Sequence, residues 1–398
     1  LGTRLETESP RGRIALMKAV NEGRVGVTPE VVKHWDLCIQ CRACEVVCPS
    51  GVPYGRLIGA TMAQVQRKRE FGTIGSIAAD AALKRLVPHQ SRLEMVAGVT
   101  RMYQRSGLQS LVRGSGLLKR IAPTLGHLEE SLPAISATRF RAAGQVIRAK
   151  GEVRGRVALL SGCIMPLVNG PEMNAVVRIL SRNGVEVVVP KNQGCCGAIN
   201  SHVGDLDMTR ELARRNIDAF LADQVDAIVV ASAGCGVRMK EYDHLLADDS
   251  EYRDRAIQVS AMVKDIHEYL VELPFEPPSG DLNLRVTYQD PCHLANAQRI
   301  TAAPRQILQS IPGLELVELS NASVCCGAGG TYTITEREFS LRVLDSKTKA
   351  VKTTEADIVA TANPGCLLQL KLGAKREGLD VQVKYVTDLL DESYRKYA

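Results

Sequence analysis

The sequence predicts a helical N-terminal part followed by an α/β region that contains two copies of one cysteine-rich βαβ half-unit. Short apolar runs alternate with helical segments after residue 150, a pattern that predicts parallel strands joined by helices. Four cysteines recur in this region in the same order. The offsets are 129 from Cys163 to Cys292, 130 from Cys195-Cys196 to Cys325-Cys326, and 131 from Cys235 to Cys366. A nearly constant offset indicates an internal duplication.

Composition indicates a globular chain with more than one domain. The 398 residues are enough for two or three cores, and 45% hydrophobic with 24% charged residues is typical of soluble proteins. Aromatic residues make up only 4% of the chain, which argues against stacking platforms for single-stranded nucleic acid. No apolar run approaches the roughly 20 residues that cross a bilayer.

Charge is concentrated in residues 61–156. The net charge is +6, but this segment carries 17 Lys and Arg against 6 Asp and Glu, an excess of +11 that leaves −5 for the rest. Such an excess is typical of solvated helix faces, and it also fits an acidic partner or an anionic membrane face. Apolar spacing predicts helices at 62–70, 74–86, 92–104 and 108–121, then a looser connection. We assign residues 61–150 to a basic helical spacer.

Four closely spaced cysteines follow two short predicted helices at 11–22 and 29–35. They are Cys38, Cys41, Cys44 and Cys48, with Pro49 directly after them. The spacing C-x2-C-x2-C-x3-C-P is that of bacterial ferredoxins, whose thiolates bind a [4Fe–4S] cluster. Structural zinc sites usually have two separated C-x2-C pairs, so a single run favours iron and sulfur. The predicted fold of residues 1–60 is therefore an α-helical ferredoxin-type 4Fe-4S domain.

The ligand set of this run leaves two alternatives. In two-cluster ferredoxins the fourth cysteine of each run binds the other cluster, yet these residues contain one run. We infer that a first run lies upstream of Leu1 and that the N-terminus is truncated. Cys38, Cys41 and Cys44 would then hold one cluster that needs a missing fourth thiolate, and Cys48 would bind the cluster of the upstream run. Otherwise all four cysteines hold one cluster. About sixteen iron atoms in a full-length chain would support the upstream run, and about twelve would contradict it.

Eight further cysteines lie just past predicted strands. Strands are expected at 156–162, 185–189 and 227–231 in a first cysteine-rich domain (151–275), and at 284–288, 314–319 and 357–361 in a second (276–398). Parallel sheets bind ligands beyond the carboxyl ends of their strands. We therefore expect each half to gather its four thiols at one sheet edge. The two sets are Cys163, Cys195, Cys196 and Cys235, and Cys292, Cys325, Cys326 and Cys366.

All twelve cysteines are predicted to be cluster ligands, both as cofactor-binding and as metal-binding residues. Disulfides are the alternative, but they suit short secreted chains rather than one of this length. Glycines beside the cysteines, such as Gly197 and Gly327, would let backbone N–H groups approach the sulfurs. His293 and His202 could donate hydrogen bonds or carry protons, although a packed histidine is the commoner outcome.

The arrangement of these motifs resembles the iron–sulfur subunit of bacterial glycolate oxidase. The ferredoxin run, the basic helical spacer and the two Cys-Cys-Gly domains carry the resemblance, which covers essentially the whole chain. Supporting stretches are Ser9–Ile14, Cys48–Val52, Asn192–Ala198, Ser232–Val237 and Cys325–Tyr332.

The resemblance implies an electron-transfer subunit with one or two ferredoxin-type [4Fe–4S] clusters and one cluster in each cysteine-rich domain. A partner flavoprotein with FAD would oxidise glycolate to glyoxylate, and a quinone or another carrier would accept the electrons. No residue of this chain is then expected to be catalytic. The resemblance also implies a cytoplasmic protein with peripheral contact to the inner face of the cell membrane.

Related families provide alternative functions. Similar subunits serve lactate and glycerol 3-phosphate dehydrogenases, and the cysteine-rich domain also resembles that of heterodisulfide reductase, which reduces disulfides. The latter has a fifth cysteine three positions after the last of each set, where this chain has Arg238 and Gln369. Four thiols per site favour electron relay over disulfide chemistry. A zinc-bound interaction scaffold is a third hypothesis, and it predicts a colourless protein.

Overall fold

The N-terminal domain is a small group of helices around the first cysteine run. The computed structural model describes residues 3–68, 81–130 and 132–396. Helices lie at Pro10–Asn21, Pro29–Asp36, Ala43–Val46 and Tyr54–Lys68. The Ser9 hydroxyl caps the first helix by accepting from the N–H of Gly12 at 3.0 Å. Trp35 is buried in the core of this domain, which also takes in Cys38 and Cys44.

Short helices form the next segment, at Gln90–Arg105, Leu108–Ser115, Leu117–Ile121 and Pro123–Glu130. The helix expected over 108–121 is interrupted at Gly116, whose φ of +62° is readily adopted only by glycine. Of the helix expected over 74–86, residues 74–80 lie outside the described part, and Ala82–Leu86 forms a π-helical turn. Residues 69 and 70 of the helix expected over 62–70 also lie outside it. The helix at Pro123–Glu130 was expected to be a loose connection.

The first sheet has five strands in the order β1-β3-β2-β4-β5. They are β1 (Val146–Ile147), β2 (Gly155–Leu159), β3 (Val185–Val188), β4 (Ala227–Val230) and β5 (Val263–Asp265). All pairs are parallel except that of β1 with β3. The helices of this half are Met165–Val168, Gly170–Arg182, Ala198–His202, Leu206–Leu221, Ala233–Lys240, Tyr242–Leu245, Arg253–Met262 and Ile266–Glu272.

The second sheet has four parallel strands in the order β7-β6-β8-β9. They are β6 (Leu284–Tyr288), β7 (Leu314–Val317), β8 (Ile358–Thr361) and β9 (Gln382–Tyr385). The helices are Ala302–Gln309, Tyr332–Thr335, Arg337–Lys352, Pro364–Glu377 and Val386–Arg395, with a π-helical turn at His293–Ala297. The order matches β3-β2-β4-β5 of the first sheet, so the duplication inferred from the cysteine offsets extends to the topology.

Three strands were not predicted. β5 is only three residues long, and β9 follows an alternating Val-Gln-Val-Lys-Tyr-Val pattern that is typical of a strand with one buried face. β1 pairs antiparallel with β3, so the first sheet begins within the segment that was expected to be spacer.

The two halves share one hydrophobic core. Side chains from β2 and from β6 belong to the same buried cluster. Helices Gly170–Arg182 and Val386–Arg395 join the halves further, since Arg178 forms an ion pair of 2.7 Å with Asp391. Shared packing fixes the two sheets relative to each other, and with them the cysteines at their edges. Among the described residues, no helix combines the length and the apolar character that crossing a bilayer requires.

Candidate functional site

The eight cysteines of the two halves line one cavity of about 240 Å³. Each follows the carboxyl end of a strand, as the sequence predicts, but the two sets face a common space instead of two separate edges. The thiols are Cys163, Cys195, Cys196, Cys235, Cys292, Cys325, Cys326 and Cys366. All twelve cysteines of the chain are free thiols, which excludes the disulfide framework in this structure.

In the first half, hydrogen bonds fix the Cys-Cys-Gly loop. The N–H of Gly197, which has a φ of +83°, donates to the Cys195 sulfur at 3.4 Å. The Asn216 amide donates to the carbonyl of Cys195 at 2.9 Å, and the Tyr242 hydroxyl donates to the carbonyl of Cys196 at 2.9 Å. The backbone carbonyls of this loop are therefore hydrogen-bonded to side chains of the protein, and the thiols line the cavity.

The second half repeats this arrangement. The sulfurs of Cys292 and Cys325 are 4.0 Å apart, and the N–H of Gly327 donates to the Cys325 sulfur at 3.4 Å. Lys347 is buried behind the loop, where it donates to the carbonyls of Asn321 and Ala322. Burial lowers the pKa of Lys347 to about 8, and the nearby thiols oppose that shift.

Asn363 joins the two sets of thiols. Its amide NH2 donates to the sulfur of Cys366 at 3.6 Å. Its amide oxygen accepts from the N–H of Gly234 at 3.3 Å and from the hydroxyl of Ser232 at 3.4 Å. Because Gly234 directly precedes Cys235, a single side chain bridges the last cysteine loop of each half.

The N-terminal run lies against this cavity. Cys41 is close enough to Cys292 for the two thiols to interact electrostatically. Burial, and after it Cys292, raises the pKa of Cys41 to about 11. The Tyr54 hydroxyl donates to the sulfur of Cys38 at 3.6 Å. Cys48 is half-buried. The third set of thiols thus adjoins the second half.

Both halves hold the loop of this run in its conformation. Gln40 and Arg42 have φ values of +56° and +59°, which are unfavourable for residues other than glycine. The ring of His293 donates to the Gln40 carbonyl at 3.1 Å, and the Gln40 amide donates to the carbonyl of His202 at 2.9 Å. Arg42 pairs with Glu241 at 2.5 Å.

Two further contacts from the second half reach the same loop. The Asn296 amide donates to the Cys41 carbonyl at 3.0 Å, and the Tyr332 hydroxyl donates to the Leu37 carbonyl at 3.2 Å. The positions of the three cysteine sets are therefore fixed by direct hydrogen bonds, and not only by chain connectivity.

His202 and His293 stack on each other with ring centroids 5.4 Å apart. Burial is the main cause that lowers the pKa of both, to about 3 for His202, so both rings are neutral at physiological pH. They pack between the N-terminal run and the two halves. Both histidines are therefore packed side chains, which is the commoner outcome expected from the sequence.

The donor set fits iron–sulfur clusters. Burial raises the pKa of Cys41 and of Cys44 to about 11, so without a cation these thiols stay protonated. Bound iron would hold them as thiolates. No group of three or more Cys, His, Asp or Glu within residues 3–68, 81–130 and 132–396 is arranged around a single metal ion. A [4Fe–4S] cluster does not require such a group, because each of its four irons takes one thiolate.

Sequence reasoning did not identify three residues that form hydrogen bonds with the thiols or with the loops around them. Asn363 precedes Cys366 by three positions as Ser232 precedes Cys235, so an alignment of the repeats places the two polar residues at equivalent positions. Lys347 aligns in the same way with Asn216, 131 residues earlier. Gln40 carries no such signal, because its contacts come from residues far along the chain.

Comparisons with known proteins agree with this arrangement. Residues 157–240 and 286–371 match a cysteine-rich domain model, residues 31–54 a 4Fe-4S binding domain model, and residues 76–132 the linker region of the glycolate oxidase iron-sulfur subunit. The chain thus combines a 4Fe-4S binding domain with duplicated cysteine-rich domains that contain parallel sheets.

Curated relatives match nearly the whole chain. A probable glycolate oxidase iron-sulfur subunit of Bacillus subtilis is 43% identical over 98% of this chain and 88% of its own length. The glycolate oxidase iron-sulfur subunit of Escherichia coli is 29% identical over 98% of this chain and 89% of its own. Lactate utilization protein A of Shouchella clausii is 31% identical over 59% of this chain and 98% of its own. This chain therefore belongs to the family of glycolate oxidase iron–sulfur subunits.

Proposed function

We propose that this chain relays electrons from an FAD-containing partner subunit, which oxidises glycolate to glyoxylate, to a quinone-type acceptor. Glycolate gives up two electrons and two protons in this reaction, and a quinone takes up two of each to become a quinol. The observation that carries the proposal is the convergence of the three cysteine sets. Eight thiols line one cavity, and the loop that contains Cys41 is hydrogen-bonded to His293 and Asn296, which follow Cys292 in the chain.

The proposed ligands are the twelve cysteines, four to a set. Clusters bound there would supply one-electron carriers between a two-electron donor and a two-electron acceptor. The chain itself holds the sets close together, excludes water from the buried thiols, and directs the N–H groups of Gly197 and Gly327 at sulfur. We assign residues 1–60 to the ferredoxin-type domain, 61–150 to the basic spacer, and 151–275 and 276–398 to the two cysteine-rich domains. Val146–Ile147, at the end of the spacer, add a strand to the first sheet.

Relay is favoured over disulfide reduction by the two positions where a fifth cysteine would stand. Gln369 is buried there and donates to the Ser340 hydroxyl at 3.0 Å, which in turn donates to the carbonyl of Gly327. Arg238 pairs with Glu241 at 3.4 Å. Both positions thus support the structure around the thiols, and neither supplies a further sulfur for substrate chemistry.

Substitution Cys196→Ser tests the relay. Cys196 is 2% exposed and belongs to the first set, so its loss should release one cluster, about four iron atoms per chain. In the complex, reduction of the partner flavin by glycolate should persist while reduction of a quinone stops. Undiminished quinone reduction with iron lost would contradict the proposal. Colourless protein loaded with zinc would favour the scaffold hypothesis instead.

A further inference from the structure

Exposed aliphatic side chains are concentrated on the helices between the cysteine-containing domains. Of the 21 large hydrophobic residues that are exposed in the described part of the chain, 11 fall between residues 95 and 132. Such a concentration of exposed apolar side chains in one segment usually marks an interaction site. We call the following exposed side chains the linker face: Met95, Val99, Met102, Leu108, Leu111, Leu117, Ile121 and Leu125.

The helix Gln90–Arg105 is apolar on two opposite sides. Leu93 and Ala97 are buried in the cluster that contains Cys163 and Cys195. Met95, Val99 and Met102 follow the same helical spacing on the other side and are 67%, 60% and 69% exposed. Packing against the first half accounts for the apolar residues on the inner side of this helix. The apolar residues on its outer side indicate contact with a second apolar environment.

The next helices continue the pattern. Leu111 is 70% exposed, Leu117 56% and Ile121 74%. These helices are short, and Gly107 and Gly116 at the junctions have positive φ values that turn the chain sharply. Each helix contacts the one that follows it.

The charge around the linker face is positive. Described residues 81–130 contain eight Lys and Arg against three Asp and Glu. Two of those three acids already interact with arginines, Glu129 with Arg113 at 3.0 Å and Glu130 with Arg337 at 3.5 Å. Arg105 and Arg120 are exposed. An apolar surface with a positive surround complements an anionic lipid surface.

The residue types favour lipid over protein as the occupant. Hot spots of protein interfaces are enriched in Trp, Tyr and Arg, whereas Leu and Val are under-represented there. Residues 81–130 contain neither Trp nor Phe, and the hydroxyl of their single tyrosine, Tyr103, interacts with Glu129 at 3.3 Å. Leu, Ile, Val and Met make up the whole linker face, and aliphatic groups of this kind insert readily at the boundary between headgroups and acyl chains.

We propose that the linker face docks this subunit on an anionic membrane surface. The benefit of docking rests on the proposed function. Docking would place a lipid-soluble electron acceptor at a distance of one helix diameter from the first set of thiols. The inner side of Gln90–Arg105 contacts Cys163 and Cys195, and an α-helix with its side chains is about 10 Å across. Binding to lipid itself does not depend on electron transfer.

Flotation of the full iron-loaded chain with vesicles tests the proposal. Phosphatidylcholine vesicles with and without phosphatidylglycerol are compared, and we expect binding chiefly to the anionic ones, weakened by salt. Val99→Asp and Leu111→Asp place a charge in the inserted face and should reduce binding at least tenfold. Arg120→Gln should reduce vesicle binding about fivefold, because this is the effect of losing one basic charge near an anionic membrane surface. Ile257→Asp is the matched control, since Ile257 is 53% exposed outside the linker face.

Several outcomes would overturn the proposal. One is failure of the wild-type chain to float with anionic vesicles. Another is loss of binding by Ile257→Asp equal to that of Val99→Asp. A third is that Val99→Asp separates the chain from its flavoprotein while vesicle binding is unchanged, which would assign the linker face to the partner. Iron content and flavin reduction should be unaffected in every variant, so these results are independent of the test with Cys196→Ser.

Discussion

Substitution of Asn363 by alanine removes the bridge between the last cysteine loops of the two halves. The variant loses the N–H donor 3.6 Å from the Cys366 sulfur and the acceptor for the N–H of Gly234 at 3.3 Å. Hydrogen bonds to a cluster sulfur stabilise the reduced, more negative state. We therefore expect the second cysteine-rich site to have a lower reduction potential in the variant.

The size of this change follows from the strength of one hydrogen bond. A bond to a charged group contributes about 1.5–3 kcal/mol, and only the difference between the two oxidation states affects the potential. If that difference is ~1 kcal/mol, the potential of a one-electron couple falls by roughly 40 mV. The unpaired N–H of Gly234 also costs ~1 kcal/mol of stability, because it lies in a half-buried loop.

An anaerobic redox titration followed by paramagnetic resonance measures the potential. Ser232→Ala is the matched control, because it removes only the 3.4 Å contact on the other side of the bridge and leaves the donor to Cys366. Asn363→Ser introduces the residue found at the equivalent position of the first half and should give an intermediate value. An unchanged or raised potential in Asn363→Ala, with full iron content, would refute the reasoning.

Two further predictions concern stability. Arg42→Met removes the 2.5 Å contact with Glu241, which then keeps only Arg238 at 3.4 Å. Because this is a largely buried bond between charged groups, we expect the unfolding free energy to fall by about 1.5–3 kcal/mol, measured by urea denaturation, and an unchanged midpoint would contradict this. Burial, and then Glu172, raises the pKa of Asp388 to about 7, against about 3.9 when unfolded. The folded chain therefore binds this proton more tightly, and the contribution is complete below pH 4 and lost as pH rises through 7. Asp388→Asn should remove up to about 4 kcal/mol of this pH dependence, and the same slope in both proteins would exclude Asp388 as its source.

Local patterns predicted much of this fold. Six strands were predicted within a few residues, because each is a short apolar run that ends near a cysteine or glycine. β1 was missed because two residues carry no periodicity, and its pairing with β3 depends on a distant segment. The break at Gly116 could not be distinguished from a tolerated helical glycine until its φ was known.

The candidate site was predictable as a set of residues but not as an arrangement. Cysteine spacing indicated three sets, while the shared cavity depends on how the two sheets pack. The proximity of Cys41 to Cys292 likewise arises from tertiary contacts that no local pattern encodes. Ligation of clusters by the twelve cysteines remains a prediction.

The contacts that hold the Gln40 loop bear on the order in which this protein is made. Gln40 and Arg42 adopt strained backbone conformations, and the group that bonds the Gln40 carbonyl, His293, lies 253 residues later in the chain. This cysteine run leaves the ribosome before the two cysteine-rich domains, yet it is consequently among the last parts to reach its final shape. Iron delivery to that run should follow the folding of the C-terminal half during biosynthesis.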